Sequence, residues 1–360
     1  NLGVVYKSTG GGALLDLFAT IGGMRNQPIN EGIAKWRAAY KESPEYAANL
    51  ILYTRSIRDG GIGERKIARA LYRELAILEP EKVKRNFQTI VDTGRWDDLY
   101  ALEGTPCEDA MWEFIKNRLI LDVTLMKENK PISLASKWLK SINTSSAESR
   151  RIAKVFCAKT GLTPKTYRKT LSRLRAYLKV TEVAMSANQW KLINFEAVPS
   201  LAMSRYNKAF RKHTPIEFQT YLEGLQSGTV KINAATLNPS DICKKYLNRC
   251  LEATDIAQWD SLPNYVSGEH EVLCVADASG SMTYPNNEPM AASIGLATYF
   301  AQRNKGSYHN LYMTFSQNPQ FLKIQDNWNI EKCFDYVMNH GVGYNTNADK
   351  MMAAIYNLAV

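Results

Sequence analysis

Apolar side chains recur at helical spacing through most of the first 250 residues. This spacing predicts helices at 14–21, 29–40, 45–57, 64–78 and 81–91. Pro44 and Pro80 stand at or just before the first turns of two of these segments, where proline is tolerated. Short connections favour antiparallel neighbours in a stacked array. We therefore predict an all-α solenoid or ring of HEAT-like repeats, although no exact sequence repeat is visible.

The hydrophobic pattern changes after residue 270. The apolar run at 272–276 is typical of a buried parallel strand. The periodicity then predicts a helix at 289–304, strands at 308–315 and 320–324, and a helix at 330–339. A final helix is predicted after these segments. Alternating strands and helices indicate an α/β fold. We therefore divide the chain into a helical domain at 1–265 and an α/β domain at 266–360.

Three oxygen-bearing side chains follow the first predicted strand at every second position. They are Asp277, Ser279 and Ser281, separated by the small residues Ala278 and Gly280. A carboxylate and two hydroxyls suit hard cations such as Mg²⁺, Mn²⁺ or Ca²⁺. Open α/β sheets also bind ligands beyond the carboxyl ends of their strands. We predict a divalent-metal site here, with a capped turn as the alternative because Asp and Ser are common turn formers.

This Asp-x-Ser-x-Ser loop resembles the metal-ion-dependent adhesion site of the von Willebrand factor A family. The resemblance implies a Rossmann-like α/β domain with Mg²⁺ or another hard divalent cation in the site. It also implies a second loop that supplies a threonine, which by position in the Gly-rich stretch 341–347 is Thr346. A complete A-domain has further strands and a later loop that contributes an aspartate. We therefore expect an incomplete A-domain with a weakened metal site, in a chain that is an interior piece of a longer protein.

The excess of positive charge lies in the middle of the chain. The whole sequence carries a formal net charge of +10. Residues 1–115 have a net charge of −1, residues 116–213 of +16, and residues 214–360 of −5. Such asymmetry points to a polyanionic partner.

A helix predicted at 166–184 separates its basic residues from its apolar ones. At ~100° per residue, the basic side chains fall outside a narrow apolar arc formed by Tyr167, Leu171, Leu174 and Leu178. Neither Asp nor Glu occurs at 161–180, although exposed helix faces ordinarily mix both signs. We predict a phosphate-binding face, with an ordinary solvated face as the alternative. The candidate RNA-binding residues are Lys137, Arg150, Arg151, Lys154, Lys159, Lys165, Arg168, Lys169, Arg173, Arg175 and Lys179.

Several stretches of the chain resemble the TROVE module of Ro ribonucleoproteins, in a diverged branch found in phages and eukaryotes. They are STG at 8–10, ALLD at 13–16, RSIRDGG at 55–61, GRWDDL at 94–99 and PSLAM at 199–203. In Ro proteins helical repeats form a ring that an A-domain closes. Single-stranded RNA ends enter its basic hole, and duplex parts bind its outer surface. The resemblance thus implies a non-catalytic protein that binds structured or misfolded non-coding RNA, with a nuclease as a further candidate partner.

A second interpretation assigns the activity to the A-domain. Its metal ion would capture an acidic side chain of a protein partner, and the helices would serve assembly. The basic helices would then meet an acidic protein instead of RNA.

Enzyme functions find no support in the sequence. The carboxylates of Asp92, Asp97 and Asp98 follow a helix end and are expected to cap the next helix. The glycines at 60–63 lack the Gly-Lys-Ser/Thr ending of a phosphate-binding loop. They are expected to end one helix and start another, with a backbone anion nest as the alternative. We predict that the protein is not an enzyme.

The compartment is inferred from cysteine and histidine usage. The six cysteines include no Cys-x-x-Cys pair, and the four histidines show no zinc-binding spacing. No apolar run approaches the ~18 residues of a membrane span. These features favour a reducing, cytoplasmic environment and no membrane partner.

Overall fold

The structure is a computed structural model that describes residue 8 and residues 10–56, 60–266, 272–343 and 345–359. Some positions of the motifs quoted above therefore lie outside the described residues: Thr9, Ile57, Arg58, Asp59 and Tyr344. The described chain is mostly helical, with a small three-stranded sheet in its C-terminal part. It forms two compact units, Asn1–Ser186 and Ala187–Val360.

Helices are the regular elements of the first unit among its described residues, and turns and loops connect them. Its α-helices are α1 (Ala13–Thr20), α2 (Ile29–Glu42), α3 (Pro44–Arg55), α4 (Arg65–Leu78), α5 (Pro80–Arg85), α6 (Phe87–Thr93), α7 (Glu108–Lys127), α8 (Ala135–Trp138), α9 (Ala147–Thr160), α10 (Pro164–Tyr177) and α11 (Thr181–Ser186). A 3₁₀ helix, Trp96–Leu102, connects α6 to the segment before α7. The predicted helices at 14–21, 29–40, 45–57 and 64–78 correspond to α1 through α4.

Two predicted helices were wrong in their continuity. The segment predicted at 81–91 is divided into α5 and α6, because Asn86 leaves the helical backbone conformation. The segment predicted at 166–184 is divided into α10 and α11. Lys179 between them adopts a left-handed conformation with φ of 51°, which ends a helix. Lys179 therefore does not belong to the basic face of a continuous helix.

The glycine-rich turn between α3 and α4 is a helix end followed by a helix start. The amide of Ile62 donates to the Tyr53 carbonyl at 3.0 Å, that of Gly63 to Ser56 at 2.9 Å, and that of Glu64 to Thr54 at 2.7 Å. These amides are occupied within the chain. The start of α4 at Arg65 matches the expected helix start, whereas α3 already ends at Arg55, before the glycines. The bonded amides of Ile62, Gly63 and Glu64 are not free to form an anion nest.

The core of the first unit is rich in aromatic side chains. Trp36 and Trp112 are fully buried, and Tyr167 of α10 is 1% exposed. Phe156 contacts both Trp112 and Tyr167, with ring centroids 6.0 and 5.0 Å apart. The apolar arc of α10 therefore packs into this core, so its basic positions lie on the opposite face.

The second unit combines helices with the sheet. Its elements are α12 (Ser200–His213), α13 (Pro215–Gln226), α14 (Pro239–Leu247), α15 (Ala253–Asp260), β1 (Cys274–Asp277), α16 (Glu288–Arg303), β2 (Leu311–Phe315), β3 (Phe321–Lys323), α17 (Ile330–His340) and α18 (Ala348–Ala359). β1 pairs parallel with β2, and β2 pairs antiparallel with β3. The order of predicted strands and helices after residue 270 matches the observed order.

Helices before residue 265 and α/β segments after it share one hydrophobic core. Ile242, Cys243 and Trp259 lie in the same buried cluster as Ile294 and Phe334. A Cβ at Gly295 would lie 2.9 Å from the Pro239 carbonyl oxygen, so this glycine allows α16 to approach the start of α14. The compact units divide after Ser186. As a boundary between sequence domains, the division at 265/266 stays a prediction.

Candidate functional site

The predicted metal loop lies at the carboxyl end of β1. Asp277 is the last residue of the strand, and its Oδ1 accepts a hydrogen bond from the Ser279 amide at 2.9 Å. The hydroxyl oxygens of Ser279 and Ser281 are 3.0 Å apart. Ser279 is buried and Ser281 is exposed. The loop thus presents one half-buried carboxylate beside two adjacent hydroxyls.

The second predicted loop lies beside the first. The amide of Gly343 donates to the Ala278 carbonyl at 3.2 Å, and Gly343 forms a parallel bridge with Ser279. A Cβ at Gly343 would lie 2.8 Å from Ser316 Cβ, so the close approach needs glycine. Thr346 follows in this loop and is exposed.

The donor set fits a small hard cation. Neighbouring oxygens around an octahedral Mg²⁺ with bonds of 2.0–2.1 Å are about 2.9 Å apart, close to the separation of the two serine hydroxyls. In the described part of the chain, no three His, Cys, Asp or Glu side chains cluster as a metal-binding group. A cation here would therefore depend on Asp277, the hydroxyls and water. The carboxylate has no ion-pair partner among the described residues.

The predicted basic residues fall into three structural groups. The first group is exposed and has no ion pair with a described residue: Lys154, Lys165, Arg168, Lys169, Arg173 and Lys179. Lys165, Arg168, Lys169 and Arg173 occupy the solvent face of α10, within an arc of about 140° at ~100° per residue. We call these four residues the α10 basic face. Among the predicted RNA-binding residues, these four form the largest group on one helix whose positive charge is not compensated by a described acidic residue.

The second group is already neutralised by acidic neighbours. Arg151 forms ion pairs with Glu103 at 2.5 Å and Glu148 at 2.8 Å. Lys159 pairs with Asp109 at 2.8 Å, and that hydrogen bond raises the pKa of the ammonium group. These cations of α9 therefore add little positive potential to the face.

The guanidinium groups of the third group donate hydrogen bonds to other groups of the protein. Arg175 donates from Nε to the Ser136 carbonyl, from Nη1 to Ser141 Oγ and from Nη2 to the Leu139 carbonyl, at 2.7, 2.7 and 2.8 Å. Burial lowers the pKa of its guanidinium. Arg150 donates to the carbonyls of Thr144 and Ser145. Arg175 and Arg150 thus fasten loops, and Lys137 lies elsewhere, against the Trp138 ring.

A second cationic region lies in the first unit, and of its cations the sequence analysis named only Lys137 as a candidate. A cleft of about 520 Å³ in the first unit is lined by five cations and one carboxylate, together with Trp138 and several hydroxyl-bearing side chains. These charged residues are Arg65, Arg69, Arg95, Lys137, Lys140 and Asp97. We call it the Trp138 cleft. The signals for it were Arg95 in GRWDDL and the i, i+4 spacing of Arg65 and Arg69, but four separate segments supply the lining.

Asp97 and Asp98 organise the guanidinium groups at this cleft. Arg95 donates from Nε and Nη2 to the two oxygens of Asp97 at 2.9 and 2.8 Å. Arg69 donates from Nε to Asp98 Oδ1 at 2.7 Å. Burial alone would raise the pKa of Asp97, but the charges of Arg69 and Arg95 outweigh it and hold that pKa below its usual value. Asp97 is therefore an ionised counterion of these arginines, and Asp98 forms an ion pair with Arg69.

The expected capping role of Asp98 is confirmed. Its Oδ2 accepts the Arg95 amide at 2.8 Å in a capping box at the start of the 3₁₀ helix. Asp97 instead forms ion pairs with Arg69 and Arg95. The capping expectation for Asp92 was wrong, because Asp92 lies within α6 and accepts a hydrogen bond from Gln88 at 2.8 Å.

Other observations bear on the chemistry of the chain. All six cysteines are free thiols, and burial raises the pKa of Cys243 to about 12. No helix in the described part of the chain is long and apolar enough to cross a membrane.

The chain is similar to two families of unknown function and to a viral protein. The profile of a family described as Domain of unknown function (DUF2828) matches residues 158–266, and that of Domain of unknown function (DUF7788) matches residues 271–360. The first match includes α10, and the second includes the Asp277 loop and Thr346. A protein of Acanthamoeba polyphaga mimivirus named Uncharacterized protein L728 is 27% identical over 364 residues. The alignment covers 90% of this chain and 63% of the viral protein. No solved structure matches the chain significantly.

Proposed function

We propose that this protein is a non-catalytic, cytoplasmic RNA-binding protein of the TROVE-like type. The observation that carries the proposal is the α10 basic face, where Lys165, Arg168, Lys169 and Arg173 are exposed without acidic partners among the described residues. Phosphate groups are the natural counterions for such a surface, and contacts with them require no particular base sequence. The free, largely buried thiols are compatible with a reducing compartment.

The finer architecture is part of the same proposal. A HEAT-like ring, and a von Willebrand A-type domain for the residues from 266 onward, follow from the resemblance to Ro proteins. In support, the Asp277 loop follows a parallel strand, and the loop that carries Thr346 lies beside it. The RNA would be structured or misfolded non-coding RNA, contacted at single-stranded ends and along duplex parts.

The salt dependence of RNA binding tests the proposal. Each phosphate neutralised on a single strand contributes a slope of about −0.7 to log K against log[salt]. Four contacts on the α10 basic face give a slope of about −2.8, or roughly a 50-fold loss of affinity between about 50 and 200 mM salt. The measurement is a binding titration with a labelled structured RNA that has a single-stranded end.

A double charge reversal locates the interface. The variant Arg168→Glu/Arg173→Glu should weaken binding at least about 10-fold across unrelated RNA sequences and reduce the magnitude of the salt slope by about 1.4, since two phosphate contacts are lost. The matched control is Lys41→Glu/Lys305→Glu, which reverses two exposed cations that also lack ion pairs with described residues. The control should bind nearly as wild type. Wild-type affinity that is insensitive to salt would overturn the RNA proposal, and an unaffected Arg168→Glu/Arg173→Glu variant would overturn the interface.

A second candidate function is favoured by the metal loop. Asp277 has no ion-pair partner among the described residues, and it stands beside two hydroxyls whose spacing fits Mg²⁺. With Mg²⁺ bound, this site would offer an open coordination position to an acidic side chain of a protein partner, and the helices would serve assembly. Asp277, Ser279, Ser281 and Thr346 would hold the cation.

Metal binding is tested through its effect on unfolding. A Mg²⁺ concentration of about 100 times the dissociation constant should raise the free energy of unfolding by about 2.7 kcal/mol in wild type. Asp277→Ala should remove that increase and also any partner binding that EDTA abolishes. Asp349→Ala removes another exposed carboxylate of the second unit and should leave the increase intact. A wild-type protein whose unfolding does not respond to Mg²⁺, Mn²⁺ or Ca²⁺ would refute this site.

A further inference from the structure

The Trp138 cleft carries more positive charge than its own carboxylate compensates. Arg95 and Arg69 share Asp97, and Lys140 Nζ lies 3.9 Å from the same carboxylate. Arg65 and Lys137 line the cleft without an ion pair to any described residue. Asp97, together with the buried Asp98 that also pairs with Arg55, thus offsets only part of the charge of the five cations, and the cleft keeps a net positive charge.

Two cations of the cleft, Arg95 and Arg69, are held in place, unlike those of the α10 basic face. Arg95 is fixed by its two hydrogen bonds to Asp97, and its guanidinium carbon lies 4.0 Å from the centroid of the Trp138 ring. Arg69 is fixed by Asp98, whose side chain is fully buried and also binds Arg55. Ordered guanidinium groups lose little conformational entropy when they bind an anion.

The free cations and hydroxyls complete an anion-binding arrangement. Burial lowers the pKa of Arg65, and the like charges of Arg95 and Arg69 lower it further. An anion in the cleft would relieve this repulsion. The hydroxyls of Thr144 and Ser149 also line the cleft, and neither donates to a described residue. A volume of about 520 Å³ falls within the range of ligand pockets, about 300–1,000 Å³.

We propose that the Trp138 cleft binds a phosphate monoester, with Arg65 and Lys137 as its principal partners. Two kinds of ligand carry such a group: an RNA strand with a 5′-phosphate end, and a free nucleoside monophosphate. The proposal deepens the RNA-binding function by adding an end-recognition site separate from the α10 basic face. A dianionic phosphate suits this cleft because guanidinium and ammonium donors make charge-assisted hydrogen bonds to it.

The test compares RNA strands that differ only at the 5′ end. Wild type should bind a 5′-phosphorylated oligonucleotide about 10-fold more tightly than the same oligonucleotide with a 5′-hydroxyl, since each hydrogen bond to a charged group is worth about one order of magnitude or more. Arg65→Gln/Lys137→Gln should remove this preference. Neither residue belongs to an ion pair in the described structure, so the variant is expected to fold, which circular dichroism and the unfolding midpoint would verify.

A matched variant separates the two surfaces. Lys165→Gln/Lys169→Gln removes the same amount of charge from the α10 basic face. It should weaken binding of both oligonucleotides equally and leave the 5′-phosphate preference unchanged. Equal loss of the preference in both variants would overturn the assignment to the cleft.

Free ligands distinguish the sources and the two proposals. Binding of adenosine monophosphate to wild type but not to Arg65→Gln/Lys137→Gln would support the cleft as the phosphate site. If wild type also shows no preference for a 5′-phosphorylated strand, the ligand of the cleft is the free nucleotide. If charge reversal on the α10 basic face left RNA affinity unchanged, the proposed RNA interface would be refuted. The binding of adenosine monophosphate to the cleft would not be affected by that outcome. No 5′-phosphate preference together with no binding of adenosine monophosphate would overturn the inference.

Discussion

At the scale of single residues, Asp98 is the best-defined organising group of the first unit. Its carboxylate is fully buried and accepts hydrogen bonds from Arg55 Nε, Arg69 Nε and the Arg95 amide. A Cβ at Gly94 would lie 2.4 Å from Asp98 Oδ2, so the glycine of GRWDDL makes room for the carboxylate. The buried ion cluster therefore gives a structural reason for the GRWDDL motif that does not depend on the resemblance to Ro proteins.

Replacing Asp98 should destabilise the protein strongly. Asp98→Asn keeps the size of the side chain but leaves the buried Arg55 guanidinium without its counterion. Removing one partner of a buried ion pair costs about 3–5 kcal/mol. We expect a loss of this size in the free energy of unfolding, measured by urea denaturation.

The neighbouring Asp92→Asn is the matched control. Asp92 is exposed and bonds only to Gln88 among the described residues, so its replacement should change the free energy of unfolding by less than about 0.5 kcal/mol. Similar values for the two variants would show that the buried cluster does not stabilise the fold.

The sequence predicted only part of this cluster. Capping by Asp98 follows from its place three residues after Arg95, which is local information. The ion pairs with Arg55 and Arg69 join residues 43 and 29 positions apart. Spacing along one chain does not reveal which distant cations share a carboxylate, so the Trp138 cleft was missed.

At the scale of elements, α10 shows what periodicity predicts well. Its apolar arc and its basic face were both predicted from spacing, and the buried positions Tyr167, Leu171 and Leu174 confirm the arc. Its neighbour α9 shows the limit of the same reasoning. Arg151 and Lys159 looked as basic in sequence as the α10 residues, yet acids from 103 to 109 and Glu148 compensate them.

The ends of elements were harder to predict than their existence. Asn86 and Lys179 each interrupt a segment whose apolar spacing continues past them. Asparagine tolerates non-helical conformations, so the first interruption had a sequence signal. Lysine rarely adopts positive φ, and the local sequence gives no reason for Lys179 to do so.

At the scale of the whole molecule, the hydrophobic core of the second unit determines where the chain can be divided into fragments that fold. Trp259 is 1% exposed and contacts Phe334 with ring centroids 5.4 Å apart. Its indole nitrogen donates to Gln302 at 2.7 Å. The helices before residue 265 therefore complete the core of the α/β segments.

Two fragments test this division. Residues 187–360 should unfold cooperatively in urea, because they retain the shared core. Residues 266–360 lose Ile242, Cys243 and Trp259, and exposure of the facing apolar surface favours aggregation. A 266–360 fragment that stays monomeric with the unfolding midpoint of the longer one would contradict the shared core.

The sequence by itself determined the helical character of the first part, the order of strands and helices after residue 270, and the position of the Asp277 loop at the end of a strand. These features depend on periodicity and on residues close in the chain, for which local rules hold. Tertiary structure alone decided which cations remain uncompensated, which arginines line the Trp138 cleft, and which helices share a core with the sheet. Each of these depends on contacts between distant residues, where charge and burial are set by the neighbours that folding supplies.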